Sequence, residues 1–469
     1  MELRIRNFFK LLLLISFVLS LISFLHHIIA LSPLTLKPLF PNEALPTKTG
    51  YLSINRSAAS KSAIFYAFYE AQNPISSLSE TPVIVWLQGG PGCSSMVGNF
   101  FELGPWRVRS RKASSENFTL EQNPGSWNRI FGLLFLDNPI GSGFSIASAP
   151  EEIPRDQLSV AKHLFAAITS FIESNPLFKS RPLYFAGESY GGKYVPAIGY
   201  YILKTNEHLH PSSQVNLGGI AIGNGLTDPV TQVATHAISA YYSGLINERQ
   251  KNELEMAQWE ALKFTKMENW GAATKARFRV LDMLQSMTGL ATLHDFTRKV
   301  PYETETVFAF LSKEEVKKAL GVDEESVYEV CSDDVAIALH DDFMKSVKFM
   351  VELLVKKSKV LLYQGHFDLR DSVVSTEAWI KTMRWEGINQ FSRAERNAWR
   401  VNGVLAGYVQ KWKNLSHVVV LGAGHLVPCD QALSSQAMIE DWILKRGSFS
   451  QKEDEQLANS PSSLFSLFD

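Results

Sequence analysis

The 469-residue chain has only three cysteines, Cys93, Cys331 and Cys429. They permit one disulfide and leave one thiol over, and the sequence alone leaves all three pairings open. Neither sign of charge dominates: 46 Lys and Arg stand against 47 Asp and Glu, a formal net charge of -1. Without a basic run there is no electrostatic footprint for nucleic acid. No H-E-x-x-H metal motif and no dinucleotide fingerprint occurs, so neither a metal nor a cofactor is expected. No uninterrupted apolar run reaches the roughly 20 residues of a membrane-spanning helix. With 45% hydrophobic and 20% charged residues, the balance is that of a globular protein with one large core or two domains.

The longest apolar run is at the N-terminus. Arg4, Arg6 and Lys10 precede Leu11 to Leu25, and His26-His27 interrupt the run before Ala30. A basic segment followed by a short apolar one reads as a secretory signal peptide over residues 1–30, cut near Ala30, rather than a retained anchor. The mature chain is then expected in the secretory pathway, extracellular or in a vacuole or lysosome, without stable membrane association. Three N-glycosylation sequons, at Asn55, Asn117 and Asn414, agree with that route. Residues 447–469 are rich in Ser, Gln and Glu and read as a disordered tail.

What the chain does have is a series of short apolar runs that each end in Gly and Pro. Gly50 to Tyr69 reads as a hairpin-like pair of strands. Val83 to Leu87, Leu133 to Leu136, Leu183 to Ala186, Leu217 to Ile222, Lys359 to Gly365 and His417 to Gly424 read as buried strands, the last two closing the sheet. Between Arg155 and Glu173 apolar residues fall at helical spacing, and another helical pattern begins near Lys193. Strands alternating with helices predict a doubly wound, mostly parallel α/β sheet whose ligands gather beyond the strands' carboxyl ends. Val230 to Arg298 carries no strand pattern and reads as a helical cap inserted over the sheet, residues 229–300, between core segments 31–228 and 301–446. Phe308 to Leu320 and Asp333 to Lys357 look helical again. No internal repeat is present.

Gly187-Glu188-Ser189-Tyr190-Gly191 is G-x-S-x-G, a strand-to-helix turn that exposes a serine hydroxyl. A chain of this length shows that pattern by chance roughly one time in six. Gly187-x4-Gly192-Lys193 also looks like a phosphate loop, but Tyr194 stands where a Ser or Thr must bind magnesium. The last two predicted strands decide between these readings. Asp368 follows Gly365 by three residues, and His425 follows Gly424 directly. The order Ser189, Asp368, His425 is that of α/β-hydrolases. His425 would take the Ser189 proton, and Asp368 would hold the imidazole. Of the other histidines, His366 precedes its own strand's Asp, and His417 lies at the wrong end of its strand.

Six segments in order then resemble the serine carboxypeptidase family: Trp86 to Ser95, Phe101 to Pro105, Asp137 to Ser145, Gly187 to Pro196, Gly223 to Pro229 and Gly424 to Pro428. The likeness runs from about Gly50 to Trp442. It implies an acid-active exopeptidase with an oxyanion hole at Gly90 and Tyr190. It also implies a grip on the substrate's terminal carboxylate by Gln88, Gly89, Glu102 and Glu188. Two carboxyls in one low-dielectric pocket cannot both ionise cheaply, so one keeps a proton and can donate to a carboxylate. The resemblance pairs Cys93 with Cys331 and leaves Cys429 free beside the site.

The chain departs from the family pattern at Gln88, where Asn is usual, and at Gly365-His366-Phe367-Asp368, where a second acid is commoner. The cap looks too short for an excised linker, so a single chain is expected. The implied partner is the C-terminus of a peptide or protein. Other readings are a family acyltransferase using glucose esters, whose members typically replace the residue at Glu188, an esterase, and a non-catalytic binding protein, which would predict a damaged triad.

Overall fold

In chain order the strands are β1 (Lys48–Ser53), β2 (Ala63–Tyr69), β3 (Val83–Leu87), β4 (Trp106–Ser110), β5 (Phe118–Gln122), β6 (Gly132–Leu136), β7 (Leu183–Glu188), β8 (Leu217–Gly223), β9 (Lys359–Gly365), β10 (Arg396–Val401), β11 (Val404–Trp412) and β12 (Leu415–Val420). Ten of them form one sheet in the order β1-β2-β6-β3-β7-β8-β9-β12-β11-β10. From β6 to β12 every neighbouring pair is parallel, and antiparallel strands close both edges. Every residue of β3 and β6 is buried, as a parallel sheet covered on both faces requires. The computed structural model describes residues 6–8, 10, 14–21, 39–54, 61–110, 118–323 and 325–450.

The longer helices are α1 (Gln157–Glu173), α2 (Gly191–Asn206), α3 (Glu248–Lys266), α4 (Trp270–Thr288), α5 (Lys348–Lys357) and α6 (Ala432–Leu444). Asp156 caps α1, accepting from the amides of Leu158 and Ser159 at 3.0 and 2.9 Å. One α1 stripe, including Val160, Leu164, Ile168 and Phe171, joins Val195 and Ile198 of α2 and Leu354 of α5 over Phe185 of β7. Tyr184 points to the other face, where its ring meets Trp442 of α6 edge-on at 5.5 Å.

Between β8 and β9 the chain runs through two short helices into α3 and α4. A capping box of Asn247 and Gln250 starts α3, and Gly289 ends α4 at φ 66°. Leu254, Ala257 and Ala261 of α3 meet Ala273, Val280 and Leu284 of α4 in an apolar cluster of their own.

Several sequence expectations need correction. In the chain the hairpin of β10 and β11 comes between β9 and β12; in the sheet β9 and β12 are neighbours and the hairpin, not they, closes that edge. In β10 only Trp399 is buried, which removes the apolar run. The last strand itself stops at Val420, and Leu421 to Gly424 turn out of the sheet. The small β4–β5 sheet was likewise hidden by its charged residues. Ser312 and Lys313 break the first predicted helix after β8's insertion, and residues 339–347 break the second. The ordered chain extends past residue 446, since Gly447–Phe449 forms a 3-10 turn with Phe449 buried; residues 451–469 of the expected tail lie outside the described residues. So do Asn55, Asn117 and most of the signal segment.

The chain divides into two units, Met1–Glu43 and Ala44–Asp469. In the first, residues 6–8, 10 and 14–21 are helical and exposed. Among the described residues no helix is long and apolar enough to cross a membrane. In the second, Cys93 and Cys331 form a disulfide and Cys429 is free. Asn414 Nδ2 donates to Val355 O at 3.0 Å and Ser416 is buried in β12, which argues against a glycan at that sequon.

Candidate active site

The parallel register aligns the strands' carboxyl ends. Leu87 pairs with Gly187, Glu188 with Gly223, Gly223 with Tyr363, and Gly365 with Val420. The residues that follow these ends therefore converge on one rim: Gln88, Ser189, Asn224, Asp368 and His425. Ser189 sits at φ 58°, in the left-handed region, and its carbonyl accepts from Leu226 N at 2.8 Å. The turn is possible because Gly187 and Gly191 both pass against Leu87 O; a Cβ there would lie 2.4 and 2.8 Å from it.

His425 Nδ1 lies 2.7 Å from Asp368 Oδ2. Its Nε2 is buried and makes no hydrogen bond among the described residues, so this is the ring's free end. Asp368 Oδ1 accepts from the amides of Arg370 and Asp371 at 2.7 and 3.2 Å. Burial alone would raise Asp368, but the charge and hydrogen bond of His425 hold it below the ordinary carboxylate value. Burial likewise disfavours the His425 cation, and Asp368 outweighs it, raising the imidazole above its ordinary value. Such a ring can accept a hydroxyl proton and be stabilised as imidazolium. The competitors are placed elsewhere. His417 Nε2 bonds Gln364 Oε1 at 2.6 Å in the sheet, and His366 is exposed.

Two amides face the elbow. Neither Gly90 N–H nor Tyr190 N–H donates to an acceptor among the described residues. Tyr190 opens α2, where free N–H groups favour negative charge. Gly89 presses so close that a Cβ on it would sit 2.7 Å from Tyr190 N, which brings the two loops together.

Beside them lies a buried carboxyl pair. Gln88 Nε2 donates to Glu188 Oε1 at 2.8 Å and to Glu102 Oε1 at 3.2 Å, while Trp86 Nε1 holds Gln88 Oε1 at 2.8 Å. Burial pushes Glu102 up to about 7, against the opposing pull of Gln88. Burial, and then the Glu102 charge, raises Glu188 well above the ordinary value. Their remaining oxygens, both Oε2, are buried with no partner from the other described residues. Two carboxyls sharing one buried pocket cannot both ionise cheaply, so one keeps its proton. The site can thus offer a neutral acid and an amide to an anion.

The sequence matches the family described as serine carboxypeptidase over residues 38–445. The chain belongs to the serine carboxypeptidase family. It is 57% identical over 424 residues to serine carboxypeptidase-like 50 of Arabidopsis thaliana, covering 90% of this chain and 93% of that one. It is 32% identical to the probable serine carboxypeptidase CPVL of Homo sapiens, covering 87% and 85%. Its fold is similar to that of Kex1Δp, a prohormone-processing carboxypeptidase from Saccharomyces cerevisiae, with TM-score 0.75, 25% identity and coverage of 85% and 91%. As an enzyme it is therefore a serine-type carboxypeptidase on an α/β-hydrolase fold.

Within this serine carboxypeptidase, the phosphate-loop likeness has another explanation. Lys193 Nζ is buried 2.8 Å from Asp342 Oδ2, which Tyr190 and Gln157 also bond, so the lysine braces the elbow from behind. Asn224 lies in the Gly223 to Pro229 segment, and its side chain supports the triad. Its Nδ2 donates to Asp368 Oδ2 at 2.7 Å and its Oδ1 accepts from Gly365 N at 3.1 Å. An Asn directly after a strand's carboxyl end is the signal that could have found it, since Asn tolerates the φ of 42° seen here. No signal marks the segment after the cap helices. Leu293 O accepts from Leu369 N at 3.0 Å, His294 O from His425 N at 2.7 Å, and Phe296 N donates to Phe367 O at 3.1 Å. Among the described residues no cluster of three or more His, Cys, Asp or Glu could hold a metal.

Proposed function

We propose that this enzyme releases the C-terminal residue of peptides through an acyl-enzyme on Ser189, with an acidic optimum. Ser189 Oγ attacks the last peptide carbonyl while His425 Nε2 takes its proton. The carbonyl oxygen becomes an oxyanion facing the amides of Gly90 and Tyr190. The C–N bond breaks as His425 returns the proton to the leaving amine, and the freed amino acid departs. Water, deprotonated by His425, then attacks the ester and restores Ser189. Asp368 holds the imidazole throughout.

The observation that carries this reading is the pair Glu102 and Glu188, bridged by Gln88 next to the nucleophile. A protonated carboxyl donates to a terminal carboxylate; two ionised ones repel it. The added methylene of Gln88 is accommodated by Trp86, leaving its amide aimed at the pair. Glu188 also favours hydrolysis of peptides over acyl transfer from glucose esters. The basic and apolar N-terminal segment supports a route through the secretory pathway, ending outside the cell or in a vacuole or lysosome.

N-blocked dipeptides assayed from pH 4 to 8, beside their C-terminal amides and with Ser189→Ala as blank, test the proposal. Release of the last residue at acid pH, lost with the serine and poor for the amides, is expected. No release from any dipeptide by an enzyme whose Ser189 still reacts with a fluorophosphonate would refute it.

A further inference from the structure

A cavity of about 510 Å³ opens against Gly90 and the Cys93–Cys331 disulfide. Its walls include Gly90, Phe278, Ile337, Phe343 and Arg370, and none of Gln88, Glu102 or Glu188 lines it. Phe343 packs on Tyr190 at 5.0 Å and on Phe278 at 5.1 Å, so the cavity floor is continuous with the elbow. Ile337 is 72% exposed on its lip, an apolar surface without a cover. If the terminal residue occupies the glutamate side and its scissile carbonyl lies at Gly90 and Tyr190, the acyl part of the substrate must leave toward this cavity.

The half-buried Arg370 sets its charge. The Arg370 backbone amide bonds Asp368, but its guanidinium has no hydrogen bond or ion pair among the described residues. The nearest acid in sequence, Asp371, faces the buried Arg277 at 3.9 Å and Gln232 at 3.4 Å. The other titratable groups on the cavity are the exposed Asp333 and the half-buried His340, and His340 Nδ1 lies 2.9 Å from Asp341 Oδ1. An unpaired guanidinium at the end of an aromatic slot suits a side chain with an apolar stem and an anionic tip.

We propose that this cavity holds the side chain of the residue before the scissile bond, and that Arg370 makes the enzyme prefer glutamate there over its neutral or basic counterparts. The inference rests on the proposed acyl-enzyme chemistry and narrows its substrates to peptides with a penultimate acidic residue.

Nitrophenyl esters of N-blocked Glu, Gln and Lys test the pocket separately from the glutamate grip, because they acylate Ser189 without presenting a terminal carboxylate. At pH 6 the Glu side chain is ionised, and kcat/KM for the Glu ester should exceed that for Gln by about tenfold. The ratio should fall to within about twofold in Arg370→Gln, survive in Arg370→Lys and invert in favour of Lys in Arg370→Glu. Added salt should shrink it in the unmodified enzyme. A Glu-to-Gln ratio near one, or a ratio unchanged in Arg370→Gln, would overturn the assignment. Ester discrimination without any dipeptide cleavage would keep it and instead refute the carboxypeptidase reading of the glutamates.

Discussion

Replacing Asn224 with glycine removes the side chain that supports Asp368 behind the catalytic histidine, along with the acceptor of Gly365 N. The φ of 42° at this position costs glycine nothing, so the turn survives while the side chain is lost. Asp368 then loses one donor at 2.7 Å and keeps His425 Nδ1 and the amides of Arg370 and Asp371. A hydrogen bond to an ionised group contributes about 1.5–3 kcal/mol. The imidazolium forms only as the reaction proceeds, so the loss falls mainly on the transition state. At about 1.4 kcal/mol per decade, kcat should drop about ten- to a hundredfold. KM should stay within about twofold, since Asn224 does not touch Gln88, Glu102 or Glu188. Steady-state kinetics on a good N-blocked dipeptide read the split, with thermal denaturation confirming that the variant folds. Asn224→Asp should be worse, because it sets a second carboxylate where the amide bonded the first. A kcat within twofold for Asn224→Gly, or a change confined to KM, would refute the reasoning.

Other predictions concern the surroundings of the site. With Glu102 near 7, KM for free dipeptides should rise about tenfold between pH 6 and 8, and the Glu102→Gln, Glu188→Gln double variant should flatten that rise. The same pair links stability to pH. Both groups bind protons more tightly folded than unfolded, so their stabilisation is whole below about pH 4.3; the Glu102 part is lost as pH rises through about 7, and Glu188, also raised, adds to the loss in the same direction. Melting temperature across that window should therefore fall more steeply in the native enzyme than in the double variant. Burial, reinforced by the Glu102 charge, pushes the Cys429 thiol up to about 12. Iodoacetamide at pH 7.5 should thus label it more than about a hundredfold slower than in the unfolded chain, as mass spectrometry would show. Gly191→Ala places a Cβ 2.8 Å from Leu87 O and should cost about 1–3 kcal/mol in chemical denaturation.

The central sheet was legible because buried parallel strands are written as unbroken apolar runs: Val83 to Leu87 and Lys359 to Gly365 match β3 and β9 residue for residue. The edge hairpin β10–β11 was not, since edge strands carry Arg396, Asn397 and Arg400 on exposed positions to discourage further pairing. The broken helix around residue 342 was illegible for a different reason. Asp342 is buried to meet Lys193, Tyr190 and Gln157, three residues more than 140 positions away. In the site, residues delivered singly by strand ends could be read from motif and order. Asn224 and the Leu293–Phe296 segment act through backbone and second-layer bonds, which leave no periodicity behind.

That segment has a consequence for how the enzyme can open. Within four residues it is stitched to the loop bearing Asp368 and to the loop bearing His425, and the His294 ring rests 4.7 Å from the His425 ring. Motion at the trailing end of the helical insertion would pull the acid and the base apart. The leading end is tied as well: Gln232 Nε2 donates to Gly225 O at 2.9 Å, His236 Nδ1 lies 3.3 Å from Leu369 O and Ser239 Oγ lies 3.1 Å from Ser372 Oγ. The insertion is thus a bridge bolted at both abutments, and sequence change in search of new substrates is least constrained along the exposed face of α3 between them.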